Sequence, residues 1–157
     1  MITVAAATED DIPRLLEIEQ EAISPPWSHG TLLSEIYSKD SFFAVARSET
    51  GLAQSRILGF VILRQVSDES ELFQIAVDRE ARRLGVADTL MNAAFMHAAE
   101  NGLMSVYLEV RKSNEAAISL YGKHGFVTVR QRVNYYSDPV EDAIVMVKKP
   151  VINQGES

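Results

Sequence analysis

The stretch "ELFQIAVDREARRLGVADTL", residues 71–90, decides the fold, because a strand pattern passes into a helical pattern through a loop with two arginines and a glycine. The run at 71–77 is mostly apolar and predicts a strand. Residues 83–101 show the apolar period of a helix, which ends before Gly102. The apolar side of this helix holds Val86, Leu90, Ala94 and Ala98. The stretch therefore predicts a β/α unit with a loop at the start of its helix.

The loop before this helix has the composition of an anion site. A helix N-terminus exposes unpaired N–H groups and a partial positive charge. Gly85 would let an anion approach the backbone closely, and Arg82 and Arg83 add positive charge. The chain has neither G-x-x-x-x-G-K-[ST] nor G-x-G-x-x-G, so a nucleoside triphosphatase and a dinucleotide-binding protein are disfavoured. On these residues alone, an ordinary helix-capping loop remains an alternative.

The other segments predict an alternation of strands and helices. Thr8 and Asp11 form the pattern of a capping box, and Ser28 is placed to cap a second helix. Strands are predicted at 2–6, 42–47, 56–66, 105–110, 126–136 and 142–149, and helices at 8–22, 28–37 and 113–125. The order β-α-α-β-β-β-α-β-α-β-β predicts an α/β (α+β) fold. Its mixed, mostly antiparallel central sheet would have about seven strands, with helices on both faces.

Length and composition limit the functional classes. The 157 residues suffice for one domain, expected at 1–150, with a turn at 48–51 and a flexible tail at 151–157. There is no cysteine, so disulfides, thiolate nucleophiles and cysteine-ligated metals are excluded. His29, His97 and His124 lack metal-ligand spacing, and no metal is expected. No signal peptide or membrane span is evident, which predicts a cytoplasmic protein without membrane association.

The charge of the chain is unevenly distributed. The net charge of -7 argues against direct nucleic-acid binding. Residues 1–41 hold eight acidic and two basic side chains, whereas residues 79–132 hold eight basic and five acidic ones. This pattern fits a cationic partner near the first segment and an anionic ligand on the second. Two solvated faces of unequal charge would give the same pattern, and the oligomeric state is not indicated.

Two residues in the second half are candidates for acid–base chemistry. Strand alternation places Glu109 on the same face as Arg111, among apolar neighbours in the sequence. Desolvation there would favour a proton acceptor, unless Arg111 simply neutralises the carboxylate. Tyr121 could donate a proton, but the apolar residues around it, including Phe126, equally suit a core tyrosine.

At these positions the chain resembles the GCN5-related N-acetyltransferases (GNAT family). Arg82, Gly85 and Ala87 match the acetyl-CoA motif [QR]-x-x-G-x-[GA], directly after the strand "FQIAV". The resemblance covers nearly the whole chain. The further segments that show it are "PPWS" (25–28), "LEVRKSNEAAISLYGKHGF" (108–126), "NYY" (134–136) and "EDAIVM" (141–146). It implies acetyl transfer to the α-amino group of a protein N-terminus, specifically the N-terminal alanine of a ribosomal protein.

The resemblance also implies a set of site residues. The co-substrate is acetyl-CoA, with its pantetheine arm on the main chain of 75–77 and its pyrophosphate on 83–88. The implied cofactor-binding residues are Ile75, Ala76, Val77, Arg82, Arg83, Leu84, Gly85, Val86, Ala87, Asp88 and Asn114. Glu109 matches the proton acceptor of the family, and Tyr121 matches its proton donor. Asn134, Tyr135 and Tyr136 would form the wall on the peptide side, although aromatic packing alone could also explain them.

Asp88 departs from the family pattern, because relatives tend to carry a basic residue there. Either its carboxylate points away and complements the helix dipole, or it weakens coenzyme A binding. Two functional alternatives also remain on the sequence. One is a GNAT enzyme that acetylates a small amine or a broader set of protein N-termini. The other is a non-catalytic acyl-CoA sensor.

Overall fold

The computed structural model describes residues 1–48 and 56–149, and its elements confirm the predicted order. The strands are β1 (Ile2–Ala6), β2 (Ser41–Ser48), β3 (Ile57–Val66), β4 (Glu69–Val77), β5 (Val106–Arg111), β6 (Val127–Tyr136) and β7 (Glu141–Lys148). The helices are α1 (Ile12–Ala22), α2 (His29–Tyr37), α3 (Val86–Glu100) and α4 (Glu115–Lys123). Most of the predicted turn at 48–51, and the predicted tail at 151–157, lie outside the described residues.

All seven strands belong to one sheet with the order β1-β2-β3-β4-β5-β7-β6. Strands β2, β3 and β4 form an antiparallel meander, and β5 pairs with β7 and β7 with β6 in antiparallel register. Only β4 and β5, which α3 connects, are parallel among the described strands. A parallel pair needs a crossover connection, so this helix must lie across one face of the sheet. The mixed, mostly antiparallel sheet is confirmed.

The helix starts follow local capping chemistry, and the largest differences from the expected starts are at α1 and α3. The Thr8 backbone N–H donates to Asp11 Oδ2 at 2.9 Å, but the capping box begins a short 3-10 turn, and α1 itself starts at Ile12. The helix expected from residue 83 starts at Val86, because Arg83 (φ 70°) and Gly85 (φ 82°) have left-handed backbones that cannot continue a helix. Helix α2 begins as expected, with Ser28 Oγ accepting from the Thr31 N–H.

Helices cover both faces of the sheet and bury two apolar clusters. One cluster lies under α3, whose residues Leu90, Met91, Ala94 and Ala98 are all fully buried. The other lies under α1 and α2 and includes Ile12, Leu15, Leu32, Phe60 and Ile62. Strands β2 and β3 are therefore buried on both faces, which explains their continuous apolar sequences. None of the helices described is long and apolar enough to cross a membrane.

Gly59 allows β3 and β4 to pack closely at the end of β4. A Cβ atom at this position would lie 2.6 Å from the Ala76 carbonyl oxygen and 3.2 Å from Val77 Cα. Both neighbours are backbone atoms, which cannot rotate away as a side chain can. We therefore expect Gly59→Ala to displace this end of β4.

The Gly59→Ala variant should lose about 1–3 kcal/mol of unfolding free energy in urea titrations, as overpacked cores do. Gly122→Ala is the matched control, because a Cβ on this α4 glycine meets nothing within 4 Å. That control should be neutral or gain up to about 1 kcal/mol from helix propensity. Equal stabilities for the two variants would contradict the close packing at Gly59.

Candidate functional site

The sheet opens between β4 and β5. Only two residue pairs, Ser70–Val106 and Glu71–Tyr107, join these parallel strands. Beyond Glu71, β4 continues to Val77 while paired only with β3 among the described strands. The main chain of 75–77 thus has a strand on one side and none on the other. The free edge of these residues, predicted to hold the pantetheine arm, faces the opening.

A β-bulge bends β4 at this opening. Leu72 pairs with Leu63 and Gln74 with Ile62, so Phe73 is an extra residue in β4. Bulges of this kind bend a strand and re-aim its side chains. The Phe73 ring makes an edge contact with Trp27, at 6.1 Å between centroids, and so joins β4 to the segment before α2.

The buried carboxylate of Glu19 also holds the segment around Trp27 in place. Glu19 is fully buried on α1, and its Oε1 accepts from the Trp27 backbone N–H at 2.8 Å. The Gln74 amide donates to Glu19 and accepts from Trp27 Nε1 at 3.1 Å. Burial raises the pKa of Glu19, and the hydrogen bonds from Trp27 and Gln74 oppose that rise. This network attaches the "PPWS" segment to β4 beside the opening.

Asp78 fixes the start of the loop that follows β4. Its Oδ1 accepts from the Glu80 N–H at 3.0 Å, and it forms an ion pair with Arg14. The Glu80 hydrogen bond, followed by Arg14, lowers the pKa of Asp78, so its carboxylate is charged at neutral pH. The loop then passes through the left-handed residues Arg83 and Gly85 into α3.

The N-terminus of α3 has free backbone donors. The first helical bond runs from the Thr89 N–H to the Gly85 carbonyl at 3.0 Å, and no side chain of residues 1–48 or 56–149 caps the helix. The N–H groups of Val86, Ala87 and Asp88 therefore have no acceptor within the helix. A Cβ built at Gly85 meets nothing within 4 Å, so the space beside this turn is open. The arrangement suits an anion.

Asp88 and Asn114, both predicted to contact the cofactor, make contacts with α4. Asp88 is 67% exposed, but its Oδ1 lies 2.9 Å from Nε2 of His124, the largely buried C-cap residue of α4. The carboxylate is thus turned toward the end of α4. Asn114 caps the start of that helix, with its Oδ1 accepting from the Ala117 N–H at 3.1 Å. The cofactor contacts of both residues remain predictions.

Glu109 is paired, but not with the arginine considered from the sequence. Arg132 Nη1 donates to Glu109 Oε2 at 2.6 Å. Arg111 instead lies 3.3 Å from Glu141 and over the ring of Tyr136. Arg132 reaches Glu109 from β6 across β7, where its partner in register is the small residue Ala143. The alternative raised from the spacing, that Arg111 neutralises Glu109, is therefore wrong, because the arginine paired with Glu109 is Arg132.

Tyr121, on α4, packs against the apolar cluster under α3. Its ring lies 5.8 Å from that of Phe126, in an edge contact. Burial raises the pKa of Tyr121, so its hydroxyl stays protonated throughout the neutral range. The interpretation as a packed tyrosine is thus correct, and it does not exclude a hydroxyl that can donate a proton.

Tyr136 interacts electrostatically with both Glu109 and Tyr121. Burial, followed by the negative charge of Glu109, raises the pKa of Tyr136 to about 12, and Tyr121 contributes as well. Tyr135 lies under the Arg132 guanidinium at 4.4 Å, and a hydrogen bond to Glu109 is the largest cause of its raised pKa. Tyr135 and Tyr136 therefore both lie within electrostatic range of Glu109, and Tyr136 also lies within range of Tyr121.

Asn134 turns the backbone just before these tyrosines. Its φ is 54°, a left-handed value, and its N–H donates to Asp142 Oδ1 at 2.8 Å. The register between β6 and β7 shifts between Arg132 and Tyr136, so the strand bulges here. In the structure, Asn134 thus changes the direction of the backbone just before Tyr135 and Tyr136, and its contact with a peptide remains a prediction.

A cavity of about 550 Å³ lies on the Glu109 face of the sheet. Its charged and aromatic lining comprises Glu69, Glu71, Tyr107, Glu109, Arg130 and Arg132. The sequence analysis did not select four of these, namely Glu69, Glu71, Arg130 and Arg132. Charges at alternate positions in "ESE" and "RQR" were the available signal, because they share one face of a strand. In the described chain, no three His, Cys, Asp or Glu side chains are grouped so as to hold a metal ion.

Comparison with known proteins decides the family. Residues 12–126 match the model of the acetyltransferase (GNAT) family. The chain belongs to the GNAT family. It is therefore an acyltransferase of the class that uses acetyl-CoA, and the resemblance and fold expected from the sequence are both confirmed.

The similar curated proteins and solved structures span nearly the whole chain. The [ribosomal protein bS18]-alanine N-acetyltransferase of Haemophilus ducreyi is 36% identical over 91% of this chain and 97% of its own length. The Escherichia coli K12 protein of that name is 35% identical over 93% of this chain and 96% of its own. The crystal structure of the E. coli ribosomal-protein-S18-alanine N-acetyltransferase superposes with a TM-score of 0.84 at 32% identity, covering 100% and 99% of the two chains.

Proposed function

We propose that this protein transfers the acetyl group of acetyl-CoA to the N-terminal alanine of ribosomal protein bS18. The observation that best supports this is the opening between β4 and β5, which has free backbone donors at one end and a carboxylate-lined cavity at the other. An anionic co-substrate and a cationic amine would enter from opposite sides. The names and near full-length coverage of the relatives support the choice of acceptor.

The residues around the opening fit acetyl-CoA. The free edge of Ile75, Ala76 and Val77 offers main-chain hydrogen bonds to the amides of the pantetheine arm. The uncapped turn at residues 83–88 offers N–H groups and the helix dipole to the diphosphate. Bound this way, the carrier would supply an acetyl thioester at the opening, close to Glu109 and Tyr121.

Direct attack of the amine on the thioester needs a proton acceptor and a proton donor, and Glu109 and Tyr121 are the candidates for these roles. An amine must lose a proton to attack the thioester, and the departing thiolate must gain one. Glu109 faces the cavity, whereas Tyr121 belongs to the apolar cluster on the other face of the sheet. Glu109 therefore accepts the amine proton, directly or through water, and Tyr121 protonates the sulfur. No covalent enzyme intermediate is needed.

The chemistry of the pocket suits an α-amine better than a lysine. An α-amine with a pKa of about 7.7–8.0 is already about one-tenth neutral at pH 7, whereas a lysine near 10.4 is neutral in less than about one molecule in a thousand. Asn134, Tyr135 and Tyr136 would form the wall against which the first residues of the peptide lie. The acidic excess of residues 1–41 suits a basic ribosomal protein in the cytoplasm.

The purified protein should acetylate an alanine-first peptide copied from bS18 at its α-amine, as located by tandem mass spectrometry. The same peptide with a blocked N-terminus and an added lysine is the control and should remain unmodified. Faster acetylation of polyamines or of unrelated N-termini would favour the small-amine or broad-specificity alternative. Coenzyme A binding without any turnover would favour the non-catalytic sensor.

Glu109→Gln and Tyr121→Phe should each lower kcat by about 100-fold or more, the usual contribution of an acid or base. Both variants should bind acetyl-CoA nearly as the wild type does, since neither change touches the loop at 83–88. Tyr37→Phe is the matched control, because Tyr37 is exposed and donates its hydrogen bond to Glu9. Wild-type rates in both site variants would refute the two assignments.

Gly85→Ala should weaken coenzyme A binding about tenfold in calorimetry. A Cβ there meets no atom, so the effect comes from the left-handed backbone, which costs about 1–2 kcal/mol for a non-glycine residue. Gly102→Ala imposes a similar strain (φ 68°) at the other end of α3 and should lower stability without changing affinity. Equal affinities in the two variants would place the diphosphate elsewhere.

A further inference from the structure

The proposed reaction leaves one proton without an acceptor. An α-ammonium group must lose one proton to become a nucleophile and a second one as the new C–N bond forms. Glu109 can accept one of these. The inference below rests on the proposed function and concerns the group that accepts the other.

Glu71 enters the same cavity from the neighbouring strand. It pairs with Tyr107 where β4 and β5 are still joined, so Glu71, Tyr107 and Glu109 project from one face. All three line the cavity. Glu71 is thus at the last point of contact between the strands, next to the opening where the thioester is expected.

The two carboxylates differ in their partners. Glu109 accepts a hydrogen bond from Arg132 at 2.6 Å. The backbone of Glu71 is paired within the sheet, but across the residues that the structure describes its carboxylate makes no hydrogen bond or ion pair. Burial, followed by the negative charge of Glu109, raises the pKa of Glu71, and the positive charge of Arg132 opposes this rise. Glu71 is therefore available to an incoming cation and has an increased affinity for a proton.

Glu69 lies on the same strand face but is already engaged. Its Oε2 accepts from the Ser105 hydroxyl at 3.0 Å. It lines the cavity two residues further from the opening than Glu71. Glu69 is thus a carboxylate of the same type in the same cavity, with a structural hydrogen bond that Glu71 lacks.

We infer that Glu71 is a second proton acceptor of this active site, which binds the α-ammonium group and removes its first proton. The neutral nitrogen then attacks the thioester carbon, and Glu109 accepts the second proton as the C–N bond forms. The C–S bond breaks, and Tyr121 protonates the sulfur. Afterwards one of the two carboxyl protons returns to Tyr121 through solvent and the other is released, so amide, thiol and one proton are the net products.

The pH dependence of Glu71→Gln distinguishes the two carboxylates. Without Glu71, the enzyme must use amine that is already neutral, which is about one-twentieth of the total at pH 6.5. The kcat/KM of Glu71→Gln for the peptide should therefore fall about 20-fold at pH 6.5 and less than about threefold at pH 9. Glu109→Gln should show a similar loss at both pH values, because the second proton leaves only during bond formation. A Glu71→Gln loss that is the same at both would overturn the proposal.

An aminooxy-terminated peptide provides a second discrimination. Its nitrogen is unprotonated at neutral pH and has only one proton to lose. Glu71→Gln should acetylate this peptide at nearly the wild-type rate, whereas Glu109→Gln should remain slow. Glu69→Gln removes a cavity carboxylate that is already hydrogen-bonded and is the matched comparison; any loss it causes should be smaller and should be the same at both pH values and on both peptides. Glu71→Asp should preserve the wild-type pH profile, and a defect in Glu69→Gln as large as that in Glu71→Gln would refute a specific role.

The proposal can fail separately from the proposed function. If the wild type prefers another amine, the same pH comparison is made with that amine. Carbon-13 NMR of the glutamate carboxyl groups gives a reading that needs no turnover. The Glu71 carboxyl should titrate above the ordinary value of 4.5, and its midpoint should fall in Glu109→Gln. A midpoint at the ordinary value would overturn the role of Glu71 whatever the substrate is.

Discussion

The early separation of β4 from β5 is the constraint on which the rest of the structure depends. Each strand keeps an antiparallel partner on its other side, β3 for β4 and β7 for β5, so the sheet stays intact although the shared ladder has only two residue pairs. Gly59 and the bulge at Phe73 set the path of β4 as it leaves. The result is unpaired backbone inside a sheet, which is costly unless a ligand or solvent satisfies it.

Opposite charges then lie on the two sides of this opening. The helix that the crossover requires presents its positive N-terminus directly after β4, while Glu71 and Glu109 point from the other face of the sheet. The same connection that makes a parallel pair possible thus creates the anion-binding end. The carboxylates follow from strand alternation, and Tyr121 packs from α4 against the apolar cluster on the opposite face.

The sequence was sufficient for elements whose causes are local. Apolar, β-rich runs located the strands, and Thr8, Ser28 and Gly102 marked the helix ends within a few residues. Contacts that depend on sheet register could not be read in this way. Arg111 is near Glu109 in sequence, but Arg132 is its partner, because the order β5-β7-β6 brings β6 across the small Ala143. The position of Glu71 in the cavity was missed for the same reason, since only the β4–β5 register places it beside Glu109.

Two carboxylates on one face of a sheet repel each other, and the fold tolerates this only in part. Arg132 is bonded to Glu109 and only weakly offsets the charge felt by Glu71, whose pKa is raised chiefly by burial. In the free protein this arrangement is electrostatically unfavourable. An ammonium group placed between the carboxylates removes this repulsion. Its binding is therefore favoured, because it relieves an electrostatic repulsion that is present in the free protein. A pocket with two well-paired glutamates would be more stable when empty, and it would attract the amine less.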